Sequence, residues 1–111
     1  MNEFQARQGD IFFRTVRKDQ LPKKMKKRDS HILAYGEVTG HSHQIISPSI
    51  SEMESFVDET GDIYVLSPNQ EIRIGHDEHN VIVLPSNEWV CVSRQREYDP
   101  LAVEKERRVA D

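Results

Sequence analysis

Residues 36–46 read G-E-V-T-G-H-S-H-Q-I-I and contain the first of two histidine groups in the chain. In an extended strand, side chains two positions apart lie on the same face, about 7 Å from each other. We therefore expect His41 and His43 to point the same way, as two metal-binding imidazoles do. Gly36 and Gly40 before them are typical of a bulge or a tight corner beside a site.

The second histidine group is His76-Asp77-Glu78-His79, which also follows a glycine. If this segment is extended, His76 and Glu78 share a face, whereas in a single helical turn His76 and His79 converge. The sequence leaves both conformations open. The alternative to a shared site is that each histidine lies at the surface with its own hydrogen-bond partner. His31 is isolated at the start of a predicted strand, so we exclude it from the site.

We predict that the two groups meet and bind one divalent transition metal. Zinc, iron, manganese and nickel all accept neutral imidazole, so the sequence does not distinguish among them. The predicted ligands are His41, His43, His76 and His79, with Glu78 as a possible fifth. An open coordination position would activate water, with Glu37 or Glu78 as the general base, whereas a filled shell would be structural.

Short strand-forming runs lie on both sides of these groups, separated by turns rich in Gly, Pro, Asn and Ser. They cover residues 11–16, 31–38, 43–46, 50–57, 63–66, 70–74, 81–84 and 89–92. Before the first of them, Gln8-Gly9-Asp10 is interpreted as a turn. About eight short strands and no amphipathic helix of ordinary length predict an all-β fold, a small antiparallel barrel or sandwich.

Length and composition favour a single domain over residues 1–111. Hydrophobic residues make up 36% and charged residues 31% of the chain, and no apolar run approaches the ~20 residues that a membrane span needs. The N-terminus has no secretion-signal pattern, so we expect a cytoplasmic protein. Cys91 is the sole cysteine, which excludes an internal disulfide, and it alternates with Val90 and Val92 as a core residue does.

Charge is unevenly distributed along the chain, although the formal net charge is only −4. The predicted basic loop, residues 17–30, includes Lys23, Lys24, Lys26, Lys27 and Arg28. It is either a solvated connection or a surface for phosphate, nucleic acid or an acidic partner such as a protein; the acidic balance elsewhere makes nucleic acid the less favoured partner.

The C-terminal part of the chain is also charged. Residues 100–111 are expected to form a short helical turn or a frayed tail. Arg94, Arg96 and Tyr98 would share one face of a continued last strand, either as a cationic and aromatic stripe or as an exposed strand end.

The histidine groups carry three resemblances. H-x-H followed later by a histidine with a nearby glutamate, on a chain of short strands, is similar to the cupin pattern, which implies a metal inside a double-stranded β-helix. No glutamate follows the first pair within residues 44–51, and Pro85-Ser86-Asn87 has no histidine after it. His41-Ser42-His43 with Ser51 and Glu54 resembles the ligand set of JAMM-type zinc isopeptidases, with glutamate in place of the expected aspartate.

The third resemblance covers most of the chain from Gln8 onward. G-E-V-T-G-H-S-H, H-D-E-H, V-L-P, R-Q-R-E-Y-D-P and R-V-A-D together resemble a family of small uncharacterised proteins of bacteria and phages. That family implies no reaction. Our leading hypothesis is a metal-binding β protein acting as a binding or accessory module. The alternative is a small metalloenzyme, either a cupin-type dioxygenase or a metal-dependent hydrolase.

Overall fold

A computed structural model of the chain describes residues 3–36 and 40–94, which form ten strands and two short 3-10 turns. The strands are β1 (Gln5–Gln8), β2 (Ile11–Val16), β3 (Met25–Lys27), β4 (Ile32–Tyr35), β5 (Ser42–Ser47), β6 (Glu54–Asp58), β7 (Ile63–Leu66), β8 (Ile72–Gly75), β9 (Ile82–Leu84) and β10 (Trp89–Arg94). The 3-10 turns are Lys18–Gln20 and Ile50–Glu52. The predicted all-β class is confirmed.

The strands form two antiparallel sheets. One has six strands in the order β1-β2-β10-β7-β6-β3, and the other has four in the order β4-β5-β8-β9. Apolar residues of both sheets pack between them, including Phe13, Val65 and Val90 from the first and Ile45 and Ile74 from the second. The architecture is therefore that of a sandwich, the second of the two predicted forms, and not of a closed barrel.

Alternation of apolar and polar residues explains which side of each strand is buried. Ile72 and Ile74 in β8 are fully buried, whereas Arg73 between them is exposed. In β10, Val90 and Val92 enter the main core, while Cys91 between them is buried on the opposite face with Val16 and Tyr64. Cys91 is thus a core residue, as predicted, and burial raises the pKa of its thiol.

Two strands lie where the sequence predicted none. Gln8 ends β1 and does not belong to the turn, because β1 pairs along its whole length with β2. The predicted basic loop contains β3, which pairs with β6, and a 3-10 turn. Leu21 and Met25 pack over Tyr64 and Cys91, so these two apolar side chains hold the basic segment on the outer face of the six-stranded sheet. That part of the loop prediction was wrong.

Several predictions fall partly or wholly outside the described residues. They concern Glu37, the end of the second predicted strand at residue 38, the stripe residues Arg96 and Tyr98, and the tail of residues 100–111. In the part of the chain that is described, no helical segment has the length and apolar character needed to cross a membrane. The cytoplasmic location stays a prediction.

Candidate functional site

A cavity of about 220 Å³ lies at one end of the sandwich, and half of the residues that line it are histidines. Its lining comprises Gly9, Asp10, Gly36, His41, His43, His76, Glu78 and His79. The structure thus brings both histidine groups and Glu78 to one place. The ring centres are 4.3 Å apart for His43 and His76, 4.6 Å for His76 and His79, 5.8 Å for His41 and His76, and 6.2 Å for His43 and His79.

Strand register explains why residues so distant in sequence meet. Gln44 of β5 pairs with Gly75 of β8, so His43 and His76 lie side by side at the same end of the four-stranded sheet. The turn between β1 and β2 brings Gly9 and Asp10 to this end from the other sheet. Both layers of the sandwich therefore contribute to the cavity.

His43 is the most firmly held of the four imidazoles. Its side chain is buried, and its Nδ1 lies 2.8 Å from Oε1 of the buried Gln8. Gln8 donates its two amide hydrogens to the carbonyl oxygens of Ile74 (3.1 Å) and Asn80 (2.8 Å), which fixes the orientation of the amide. Oε1 must therefore accept, so Nδ1 of His43 carries the proton and Nε2 has a free lone pair.

The environment of His43 also keeps the ring neutral. Burial is the main cause that lowers its pKa to about 4, and nearby His76 adds to the effect while Asp10 opposes it. Nε2 of His43 lies 3.8 Å from Oδ1 of Asp10. At neutral pH the unprotonated Nε2 of the ring thus faces the carboxylate of Asp10. An unprotonated nitrogen is what a metal ligand requires.

His41 has a nitrogen without a hydrogen bond. Its Nδ1 is buried and has no hydrogen-bond partner within residues 3–36 and 40–94. Oε1 of Glu78 lies 3.5 Å away, and Oδ2 of Asp77 lies 3.9 Å from Nε2 of the same ring. A buried polar atom without a partner costs about 1–3 kcal/mol, so this nitrogen would gain from a ligand.

The segment that carries His76 and His79 is more exposed than β5. Its one local hydrogen bond among the described contacts runs from the backbone N–H of Glu78 to Nδ1 of His76, at 3.1 Å. Nδ1 therefore accepts, and in the neutral ring the proton lies on Nε2. His76 would have to rotate before either nitrogen could serve as a metal ligand. Over the described residues, no group of three or more His, Cys, Asp or Glu side chains has the arrangement needed to hold a metal ion.

Two glycines allow the backbone to approach the imidazoles closely. A Cβ on Gly9 would lie 2.8 Å from Nε2 of His79, and one on Gly36 would lie 3.0 Å from Nε2 of His76. Gly9 also has a φ of +60°, which other residues rarely adopt. A larger side chain at either position would require the neighbouring imidazole to shift.

Gln8, Gly9 and Asp10 are site residues that the sequence analysis interpreted only as a turn. Oδ2 of Asp10 lies 3.3 Å from Nε of Arg94, and Nη2 of Arg94 donates to the carbonyl oxygen of Tyr35 at 2.6 Å. Arg94 thus joins β10, β4 and the β1–β2 turn near the cavity. The turn could be recognised from the sequence, but nothing in these three residues indicates contact with distant histidines.

The other predicted functional residues lie elsewhere. Lys23, Lys24, Lys26 and Lys27 are exposed. Arg28 is half-buried and donates to the carbonyl oxygens of Ser30 and Ile32 and to Oγ of Ser55, and burial lowers its pKa. Ser51 and Glu54, the other residues of the JAMM-like pattern, do not line the cavity.

A family model matches residues 7–95, a range that includes every residue lining the cavity. Searches of curated proteins and of solved structures found no match. The predicted membership of a small uncharacterised family is thereby confirmed, while the bacterial or phage origin and the cupin resemblance stay predictions. The chain belongs to the family described as a domain of unknown function, DUF8820.

Proposed function

We propose that this chain binds one divalent transition-metal ion in the histidine cavity and acts as a metal-dependent binding or accessory module. The observation that supports this most strongly is that four of the five histidines, from two distant segments, line a single cavity. Chance surface histidines would not be expected to gather around one space, and the backbone approaches two of them closely at Gly9 and Gly36.

The spacing of the rings is compatible with a shared ion. With a metal–nitrogen distance of about 2.0–2.1 Å, two imidazoles on a tetrahedral ion have ring centres about 5 Å apart. The four separations given above, between 4.3 and 6.2 Å, lie on both sides of that value. An ion bound beside Nε2 of His43 would require His76 to rotate and His41 and His79 to move toward it, because the rings do not already have that arrangement.

The type of ligand supports a divalent transition-metal ion rather than calcium or magnesium. Neutral imidazole suits zinc, iron, manganese and nickel, whereas calcium and magnesium prefer shells of oxygen atoms. The hydrogen bond from His43 to Gln8 is the outer-shell support that metal-bound histidines usually have. The candidate fifth ligand, Glu78, lies at the cavity with an exposed side chain that can turn toward the ion.

The test is to measure metal binding by untagged protein. Protein stripped with a chelator should take up one Zn²⁺ or Co²⁺ per chain, measured by equilibrium dialysis and elemental analysis. His43→Ala and His79→Ala should each lower the affinity at least tenfold. His31→Ala is the matched control, because His31 is exposed and does not line the cavity. Wild-type protein with no stoichiometric uptake of any of the four metals would refute the proposal.

A second candidate, a small metalloenzyme, is favoured by the space beside the imidazoles. Ligand sites for drug-sized molecules usually exceed about 300 Å³, so a cavity of about 220 Å³ suits an ion with water and a very small substrate. Water exchange on the bound ion, measured by proton relaxation of the Mn²⁺ form, separates the two. A shell without exchangeable water excludes the enzyme, because catalytic centres keep an open position.

A further inference from the structure

Three carboxylates lie near the cavity, and they differ in how freely they move. The side chain of Asp10 is 34% exposed, compared with 54% for Asp77 and 58% for Glu78. Asp10 is also in the tight turn between β1 and β2, where its short side chain has few rotamers. Of the three, it is the carboxylate whose position the fold fixes best.

Arg94 holds one oxygen of Asp10 and leaves the other for the cavity. Nε of Arg94 lies 3.3 Å from Oδ2, while Oδ1 lies 3.8 Å from Nε2 of His43. The hydrogen bond to Gln8 shows that this Nε2 is the unprotonated nitrogen of the ring. An oxygen with lone pairs therefore faces a nitrogen with a lone pair, with no proton between them to share.

The length of this gap distinguishes two explanations. A distance of 3.8 Å is too long for a hydrogen bond between nitrogen and oxygen, which requires about 2.7–3.2 Å. Two ligands on one tetrahedral ion are about 3.4 Å apart when each metal–ligand distance is about 2.1 Å. The gap is close to the separation that a shared cation would produce.

We infer that Asp10 is the carboxylate ligand of the metal centre, binding through Oδ1 beside Nε2 of His43, and that Arg94 is its positioning residue. This inference rests on the proposed function and replaces the exposed Glu78 as the oxygen ligand. With Asp10 as a ligand, the bound metal is a divalent ion that accepts both imidazole and carboxylate ligands. The negative charge of Asp10 would also offset part of the charge of the ion in a partly buried place.

The competing explanation for Asp10 is a simple ion pair with Arg94. Such a pair at an exposed surface contributes little to stability, about 0–1 kcal/mol. It would not explain why the second oxygen faces a neutral imidazole that is fixed in its metal-binding tautomer. It also predicts that removal of the Asp10 charge has no effect on metal affinity, which gives the experiment its contrast.

The experiment compares Co²⁺ binding by the wild type, Asp10→Asn and Glu78→Gln, using the visible absorption of Co²⁺ and competition with a chelator. Both substitutions remove one charge without changing the size of the side chain. We expect Asp10→Asn to weaken Co²⁺ binding at least tenfold and to change the Co²⁺ spectrum, because an oxygen ligand is lost. Glu78→Gln should change the affinity by no more than about twofold and leave the spectrum unchanged. Arg94→Met should weaken binding less than Asp10→Asn, with partial recovery in Arg94→Lys.

Each outcome decides the matter. Equal binding by the wild type and Asp10→Asn would overturn the role of Asp10, and loss in Glu78→Gln alone would assign the carboxylate to Glu78. Asp10→Ser, which also suits a turn, serves as a second variant if Asp10→Asn does not fold, as judged by far-UV circular dichroism of the metal-free protein. Failure of the wild type to bind Co²⁺, zinc, iron, manganese or nickel would refute the proposed function itself, a result distinct from the other two.

Discussion

The histidine cavity has two walls that the fold holds very differently. The inner wall is His43, held from behind by Gln8; the two residues are 1% and 2% exposed, and the side chain of Gln8 forms hydrogen bonds with His43, Ile74 and Asn80. The outer wall is the segment from His76 to His79, which has exposed side chains at its centre and a single short-range hydrogen bond among the described contacts. One wall is fixed before any ligand arrives, and the other can adjust.

For the proposed ion, this difference would combine a fixed binding position with access from solvent. A ligand group already held in its binding geometry loses little conformational entropy on binding, whereas each exposed side chain that becomes fixed costs about 0.5–1.5 kcal/mol. We therefore expect His43 to set the position of the ion and the outer wall to close around it. The predictions below test this contrast, beginning with the inner wall.

The largest effect is expected for His43→Ala. The change leaves a void in a buried position and removes the donor to Oε1 of Gln8, so the free energy of unfolding of metal-free protein should fall by about 2–4 kcal/mol. Urea unfolding followed by circular dichroism measures this loss. An unchanged urea midpoint would show that the inner wall is not fixed by packing.

Stability should also depend on pH through the same residue. The pKa of His43 is about 4 in the folded protein and about 6.5 when unfolded, so the unfolded state binds the additional proton between these values. Stability is thus fully present above pH 6.5 and is lost as the pH falls toward 4, by about 3 kcal/mol. Metal-free protein should show this slope in urea midpoints, and His43→Gln, which does not titrate, should show a flatter one.

Gln8→Leu should destabilise the chain by about 2 kcal/mol. Leucine has a similar size but removes the hydrogen bonds that Gln8 forms with the carbonyl oxygens of Ile74 and Asn80 and with Nδ1 of the buried His43. Because the tautomer of His43 is no longer fixed, the affinity for Co²⁺ should fall about tenfold or more. Gln5→Leu, on the same strand but exposed, is the control and should change neither quantity. Loss of stability without loss of affinity would mean that Gln8 supports only the fold.

The smallest effect on stability is expected on the outer wall. His79→Ala removes an exposed side chain, so the urea midpoint of metal-free protein should move by no more than the equivalent of about 0.5 kcal/mol. Its effect should be confined to metal affinity. A large loss of stability in the metal-free variant would remove the distinction between the two walls.

The sequence analysis predicted the strands whose residues are mostly apolar and missed two whose residues are mostly polar. Residues 63–66 and 11–16 were predicted with the bounds of β7 and β2, because their apolar character reflects burial in the core. β1 and β3 have the sequences Q-A-R-Q and M-K-K, which carry little apolar signal. They are strands because β2 and β6 offer unpaired backbone groups beside them, a tertiary effect that local pattern does not contain.

The same limit applies to the site. The meeting of the histidine groups was predicted from their spacing and from the glycines before them. Gln8 was not, because its partners are carbonyl oxygens of residues 74 and 80, which only the packing of the two sheets brings within reach. Asp10 was interpreted as a turn residue for the same reason. Buried polar contacts between distant segments leave no periodic pattern in the sequence.

The cavity draws its lining from both layers of the sandwich, with Gly9 and Asp10 on one and His43 and His76 on the other. A ligand bound there would contact both sheets and would link them. Separation of the two sheets would then require release of the bound ligand first. The ligand-bound protein should therefore unfold more slowly than the ligand-free protein, and the unfolding rate of a sample would indicate what fraction of its cavities is occupied.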